Sequence, residues 1–330
     1  MRTLKWIALS LLLVGSAHAD ERIKLGTLAP RGSTWETLLK EMGQKWSEAS
    51  GGKVKLVVYS GGSVGNEGDM VKKMRINQLQ AAALTTIGLH DISPEPQAVD
   101  SPMMIDSFQT LDFVMERFGP QLEKILADKG YVVIGWSEVG FVRFFSTKPM
   151  RSMADLRAAK VFGWEGDPAS IEAWRAAGFH PIVMSSTDIL PSLQTGLIDT
   201  VATAPLYAFT SHLFEKAKYM VDVPWAVLTG ATVVRKDVWD KIDPATQQKL
   251  LAVSKTYSEK ITAEVRRMDA DALKTMKQQG LVVVEMSDVA GLQKAAAEAD
   301  TVIRGKVVPA GAFDEVKKLV EEAHHQSAKR

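Results

Sequence analysis

Polar and apolar side chains alternate from Arg22 to Leu28 until Pro30 and Gly32 break the pattern, which predicts a strand and then a loop. Ser33 follows as a candidate N-cap, and Trp35, Leu38, Leu39, Met42 and Trp46 recur at helical spacing as far as Gly51-Gly52. Val54 to Tyr59 is rich in β-branched residues and reads as a second strand, turned at Gly61-Gly62. A helix over Glu67 to Ile76 and a strand over Gln80 to Thr86 complete the run. Strand–helix–strand–helix–strand predicts a parallel sheet with helical crossovers.

Pro94, Pro96 and Pro102 mark an irregular stretch, after which Phe108 to Lys129 reads as a helix and Tyr131 to Trp136 as an apolar strand. A second, similar run then begins. Strands are expected over Arg143–Thr147, Lys160–Trp164, Ile182–Met184 and Ile198–Ala202, and helices over Ala154–Ala159, Ala169–Ala177 and Asp188–Thr195, with Pro168 in a first helical turn. An α/β half is thus built twice, without a sequence repeat between the halves. A strand over Ala226 to Val234 precedes one long helix, about Pro244 to Gln279. At ~1.5 Å per residue it would run roughly 50 Å, more than the width of one domain of this size, so it should lie across both lobes. A late strand over Leu281–Glu285 and further helices finish the chain; the Lys/Glu-rich stretch after Asp314 reads as a solvated helix face. The expected division is residues 20–138 with about 226–250 as one lobe, and 139–225 with about 251–330 as the other.

The first nineteen residues fall outside this pattern. Arg2 and Lys5 are followed by an apolar run, Ile7 to Val14, and by Ala17-His18-Ala19, the three parts of a cleavable secretory leader. The run is about half of the ~20 residues that a membrane span needs. Cleavage after Ala19 places the mature chain in the periplasm, and no later stretch is apolar enough to span a bilayer. With the two leader cations removed from 40 Lys+Arg against 39 Asp+Glu, the mature net charge is −1, which argues against a nucleic-acid partner. The chain has no Cys, so disulfides, thiolate catalysis, Cys-ligated metals and a lipid-bearing Cys are excluded. The six His residues show no metal-ligand spacing and no phosphate-binding Gly loop is present, so no metal and no cofactor is expected.

Gly61-Gly62-Ser63-Val64-Gly65 matches G-x-S-x-G, the turn that presents a nucleophilic Ser in α/β hydrolases. A serine hydrolase at Ser63 is therefore the enzyme alternative. Too few strands precede the motif for that fold, and no Asp-then-His pair stands out downstream: His212 lies in a helix-like stretch, and His324 and His325 in the charged tail. Asp100 and Asp106 are near each other, but the flanking Pro residues point to caps or turns rather than acid–base work.

In order and spacing, several segments resemble the solute-binding proteins of TRAP (tripartite ATP-independent periplasmic) transporters, of the DctP type. They are Ile23-Lys24-Leu25-Gly26 with Ala29-Pro30-Arg31-Gly32-Ser33-Thr34-Trp35; Ser60-Gly61-Gly62-Ser63-Val64-Gly65; Lys148-Pro149-Met150 with Asp155-Leu156-Arg157; Leu193-Gln194-Thr195-Gly196-Leu197-Ile198-Asp199; and Lys236-Asp237-Val238-Trp239. The resemblance covers nearly the whole mature chain. It implies a two-lobed α/β binding protein rather than an enzyme. A small ligand would be captured between the lobes by hinge closure and delivered to membrane permease subunits. A sensor or scaffold subunit that binds a partner protein is a further alternative.

The departures from the family bear on the ligand. Most members carry an Arg that clamps a substrate carboxylate in the strand Lys160–Trp164, and here that position holds Phe162 or Gly163. The family's Asn before Pro is replaced in Ala202-Thr203-Ala204-Pro205, and Trp225 stands where a polar side chain is common. A buried carboxylate without a partner is expensive, so the ligand is expected to be more apolar than a C4-dicarboxylate. Strand alternation puts Phe162 and Trp164 on one face, both in the pocket or both in the core. Arg143 is the remaining candidate cation in the second lobe, and Arg31 another in the first loop. The expected ligand set is Arg31, Trp35, Arg143, Phe162, Trp164, Thr203 and Trp225, and the alternative within the binding class is a carboxylate binder using Arg143.

Overall fold

In the computed structural model, the residues described are 21–165 and 168–328, and the leader predicted over residues 1–19 lies outside them. The strands are β1 (Glu21–Thr27), β2 (Val54–Tyr59), β3 (Ala81–Thr85), β4 (Tyr131–Ser146), β5 (Lys160–Trp164), β6 (His180–Met184), β7 (Thr200–Thr203), β8 (Tyr219–Val221), β9 (Ala226–Arg235) and β10 (Val282–Val284). The helices are α1 (Thr34–Ala49), α2 (Glu67–Arg75), α3 (Thr86–His90), α4 (Phe108–Asp128), α5 (Met153–Ala158), α6 (Pro168–Ala176), α7 (Ile189–Thr195), α8 (Pro205–Thr210), α9 (Lys236–Trp239), α10 (Pro244–Gln278), α11 (Val289–Val302) and α12 (Ala310–Ser327). Strand order is β2-β1-β3-β9-β4-β7-β5-β6, with β8 and β10 off this path.

The β1–β2 and β1–β3 pairs are parallel, as the crossover pattern predicts. β9 then runs antiparallel to both β3 and β4. The pattern predicts two strands where the chain forms the single, 16-residue β4. Its first part pairs with β9 and its last four residues, Arg143–Ser146, pair with β7, so one strand passes from the first lobe's sheet into the second's. Ser137, Glu138 and Gly140 interrupt the apolar run there, and the register with β9 shifts between Glu138 and Gly140. Pairing with β9 keeps the segment extended where its own side chains do not.

Helix α1 begins as its sequence dictates: the Ser33 side chain accepts from the Glu36 N–H, and the apolar stripe from Trp35 to Trp46 is buried. Trp46 packs with Leu250 and Ile261 of α10, and its Nε1–H donates to Ser254 Oγ at 2.9 Å. Further along α10, Met276 sits in a second core with Phe145 and Phe162. The long helix therefore serves both lobes. Gly135 of β4 leaves room for the Ser258 side chain of α10, which keeps the helix close on the strand. Asp243 caps α10 by accepting from the Thr246 N–H at 2.9 Å, with Pro244 in the first turn. Asp243→Ala is expected to destabilise the fold by about 1 kcal/mol, read as a lower urea midpoint at unchanged slope.

Several short elements escape the periodicity, among them α3, the 3-10 turn Glu95–Asp100, α8 and β8. His212 is not in a helix; it adopts a left-handed conformation (φ 57°) just before the 3-10 turn Leu213–Glu215. The tail helix α12 is amphipathic and buries Phe313, Val316, Leu319 and Val320 in a core shared with Phe118 and Leu122 of α4.

Candidate functional site

A cavity of about 140 Å³ lies between the two lobes. Gln97, Asp100 and Leu228 line it from one side, and Phe162, Trp164, Ser170 and Trp174 from the other. Gln97 Nε2 donates to Ser170 Oγ at 2.9 Å, joining the two sides. A second cavity of about 80 Å³ shares Tyr207 with the first. A third of about 20 Å³, room for one water-sized group, shares Ile87 and Trp164 with the first and Glu67 with the second. Thr85 lines the second, and Ile87 the first and third, so the three lie around one short segment.

Apolar groups make most of the main cavity, and an aromatic quartet backs it. Phe144, Trp174, Phe179 and Trp225 each contact the other three, with ring centroids 5.0 to 6.1 Å apart. Trp225 is 3% exposed, so it is at once core and cavity wall. Phe162 and Trp164 share a face as alternation requires, with ring centroids 5.4 Å apart, and both line the cavity. Thr203 lines it too.

The other expected ligand residues are placed elsewhere. Trp35 lines the second cavity, and its Nε1–H donates to the Glu138 carbonyl at 3.3 Å. Arg31 lines a separate open depression with Phe209 and His212, its stem lying against Gly61. Arg143 is not among the residues lining the main cavity. It pairs in register with Thr203, its Nε is buried without a hydrogen-bond partner, and the nearest carboxylate is Asp222, 3.9 Å away.

Periodicity gave no sign of two acidic side chains in the cleft. Asp100, expected to cap or turn, stands half-buried in the cavity wall, where its carboxylate accepts from the hydroxyls of Thr86 and, at 3.1 Å, Thr229. Burial pushes its pKa up to about 8 against those hydrogen bonds. Glu67, the first residue of α2, accepts from the Thr85 N–H and hydroxyl, both at 2.7 Å, and burial pushes it up to about 7. The signal available in the sequence was an Asp set in the apolar context Ala98-Val99-Asp100-Ser101-Pro102.

The G-x-S-x-G motif has a conformational explanation. Gly61, Gly62 and Gly65 have φ of 63°, 66° and 99°, where glycine is favoured. A Cβ at Gly62 would lie 2.9 Å from Thr187 Cγ2 of the other lobe. Ser63 thus sits in a left-handed turn where the two lobes approach.

Two α/β lobes around a shared cleft, joined by through-running strands and a long helix, define a binding protein of the two-lobed type. The model of the DctP family, the bacterial extracellular solute-binding proteins of family 7, matches residues 25–305, and the chain belongs to that family. A solute-binding protein of Roseobacter denitrificans is 25% identical over 318 residues, 94% of this chain and 93% of its own length. Its solved structure, a TRAP periplasmic protein with bound L-galactonate, superposes with a TM-score of 0.81 at 21% identity, covering 93% of this chain and 99% of that one. The 2,3-diketo-L-gulonate-binding periplasmic protein of Escherichia coli is 23% identical over 315 residues, 93% of each chain. The protein is thus an extracellular solute-binding protein of family 7, and the curated relatives named above are binding proteins by their descriptions. No helix among the described residues is long and apolar enough to cross a membrane.

Proposed function

We propose that the chain is exported on residues 1–19, captures a small organic ligand in the interlobe cleft, and hands it to TRAP permease subunits in the membrane. On this reading the lobes divide as the sequence pattern predicts, near residue 138, and the ligand biases an open–closed equilibrium by touching both lobes only when they are closed. The Gln97–Ser170 hydrogen bond across the cleft is the observation that carries the closure reading. The apolar wall formed by Phe162, Trp164 and Trp225 supports a ligand more apolar than a C4-dicarboxylate. Native mass spectrometry of the periplasmic protein, followed by organic extraction, tests it: a stoichiometric small molecule supports capture, and a chain that stays bare across a broad ligand screen sinks it.

A second reading has its own observation. The buried, unpartnered Nε of Arg143 is a donor available to a carboxylate that reaches past Thr203. The related proteins named above bind sugar acids by their descriptions. Under this reading Arg143→Ala weakens binding of a sugar acid at least tenfold by calorimetry; under the apolar-ligand reading the same substitution leaves affinity within about twofold, since one charge-assisted hydrogen bond contributes about 1.5–3 kcal/mol.

A further inference from the structure

We propose that the cleft takes an organic cation, a compound with an ammonium group on an apolar, ring-sized body. This rests on the reading that the interlobe cavity is the ligand site, and it names the charge of what enters.

The charge inventory carries the argument. Among the described residues, those lining the main cavity contribute two ionisable groups, Asp100 and Tyr207, and no Arg, Lys or His. Glu67 adds a second carboxyl where the two smaller cavities meet. The hydrogen bonds of these two carboxyls come from hydroxyls and backbone N–H groups, which satisfy the oxygens but bring no positive charge. A buried carboxylate in that state is costly and is relieved by a proton or by a cation. An anionic ligand would instead add a further negative charge to the same space. Arg143 does not relieve it, because Arg143 is placed beside Asp222 and its field acts on Asp269.

Two further observations agree. The rings of Phe162, Trp164 and Trp225 line the cavity, and aromatic faces attract cations through their quadrupoles. Beside Glu67, in the smallest cavity, the hydroxyl of Ser186 is buried without a hydrogen-bond partner. Its oxygen is an acceptor for an ammonium N–H in a space that fits one such group. The cation proposed here therefore has its charge near Asp100, Glu67 and Ser186 and its body against the rings.

Protonation gives the test a second axis. Other groups share this environment: Asp91 and Tyr207 lie in the field of Glu67, and His90 and Glu165 line the smallest cavity with it. Burial raises Asp100 to about 8 and Glu67 to about 7, so the folded protein holds protons that the unfolded chain releases near pH 4. Stability of the free protein therefore falls as pH rises from about 4 toward 8, and a cation, which replaces those protons, binds more tightly across the same rise.

The experiment compares three probes of one body and three charges on the full mature chain by calorimetry: 2-phenylethylammonium, 2-phenylethanol and phenylacetate. The cation is expected to bind at least tenfold more tightly than the alcohol near pH 8.5, with the gap narrowing near pH 6. Asp100→Asn, which keeps an acceptor oxygen for one of the two threonine hydroxyls and offers an N–H to the other, should bring the two affinities within about threefold. Glu67→Gln should narrow the gap in part, and circular dichroism checks that both variants fold. Phenylacetate as the tightest probe, or a cation preference that survives both substitutions, overturns the proposal and leaves the capture reading standing. Failure of all three probes to bind also overturns it. A sugar acid that binds in the same assay then keeps the capture reading, and no binding there removes that reading too.

Discussion

Arg266→Met is expected to destabilise the protein by about 3–5 kcal/mol, because it strands a buried charge. Glu138, 4% exposed, sits in the part of β4 between the two lobes, and Arg266 of α10 holds both of its oxygens, at 2.6 and 3.1 Å. The same guanidinium makes two bonds to Asp112 of α4, at 2.6 and 2.9 Å, and stacks over the Phe108 ring at 4.5 Å. Burial raises the Glu138 pKa and Arg266 opposes that rise. Without Arg266 the carboxyl is driven to take up a proton, so the deficit should shrink toward acidic pH. The double variant Glu138→Leu/Arg266→Met should recover most of the loss, since replacing both partners leaves no orphaned charge. Chemical denaturation of the two single variants and the double decides this; a double variant as unstable as Arg266→Met contradicts the account.

Trp225→Ala carries a comparable cost of about 3–5 kcal/mol, for a different reason. Its indole touches three other rings, each aromatic pair being worth about 0.5–1.5 kcal/mol beyond area burial, and the space it leaves opens directly into the cavity. Trp164 lines the same cavity but is only partly buried, outside that quartet. Trp164→Ala should therefore leave the melting temperature within a few degrees while weakening ligand binding. Thermal melts paired with near-ultraviolet dichroism separate the two. Equal destabilisation by both substitutions contradicts the distinction between the wall that supports the fold and the wall that meets the ligand.

The difference between those two tryptophans marks how far the sequence could be read. Period-3.6 and period-2 patterning locates α1, α10 and most of the strands within a residue or two, but reads β4 as two strands and gives no sign of β8. Patterning failed at Ser137–Gly140, where a polar, bulged segment is kept extended by its neighbour β9 rather than by its own side chains. The cleft was half legible. Phe162, Thr203 and Trp225 stand out as departures from a family pattern and Trp164 follows Phe162 by strand alternation, and the structure brings all four to one cavity. The flanking Pro residues make Asp100 read as a cap or turn residue; its partners Thr86 and Thr229 lie 14 and 129 residues away, and no local pattern announces contacts of that range. Arg143 and Thr203 were both singled out, yet only Thr203 lines the cavity, although the two are paired across β4 and β7.

The passage of β4 from one sheet into the next, with β9 bonded along it and α10 close behind, has a mechanical consequence. Lobes joined by a single strand could swivel about it. A two-stranded ribbon stiffened by a helix behaves as a flexure: it bends readily across its thin direction and resists twist and sideways shear. Under the proposed capture by closure, opening and shutting would then reduce to one coordinate, with the two jaws returning to the same registration on every cycle. The weak point of such a flexure is its bulge, so the register shift between Glu138 and Gly140, locked by Arg266, is where the stiffness of the whole motion is set.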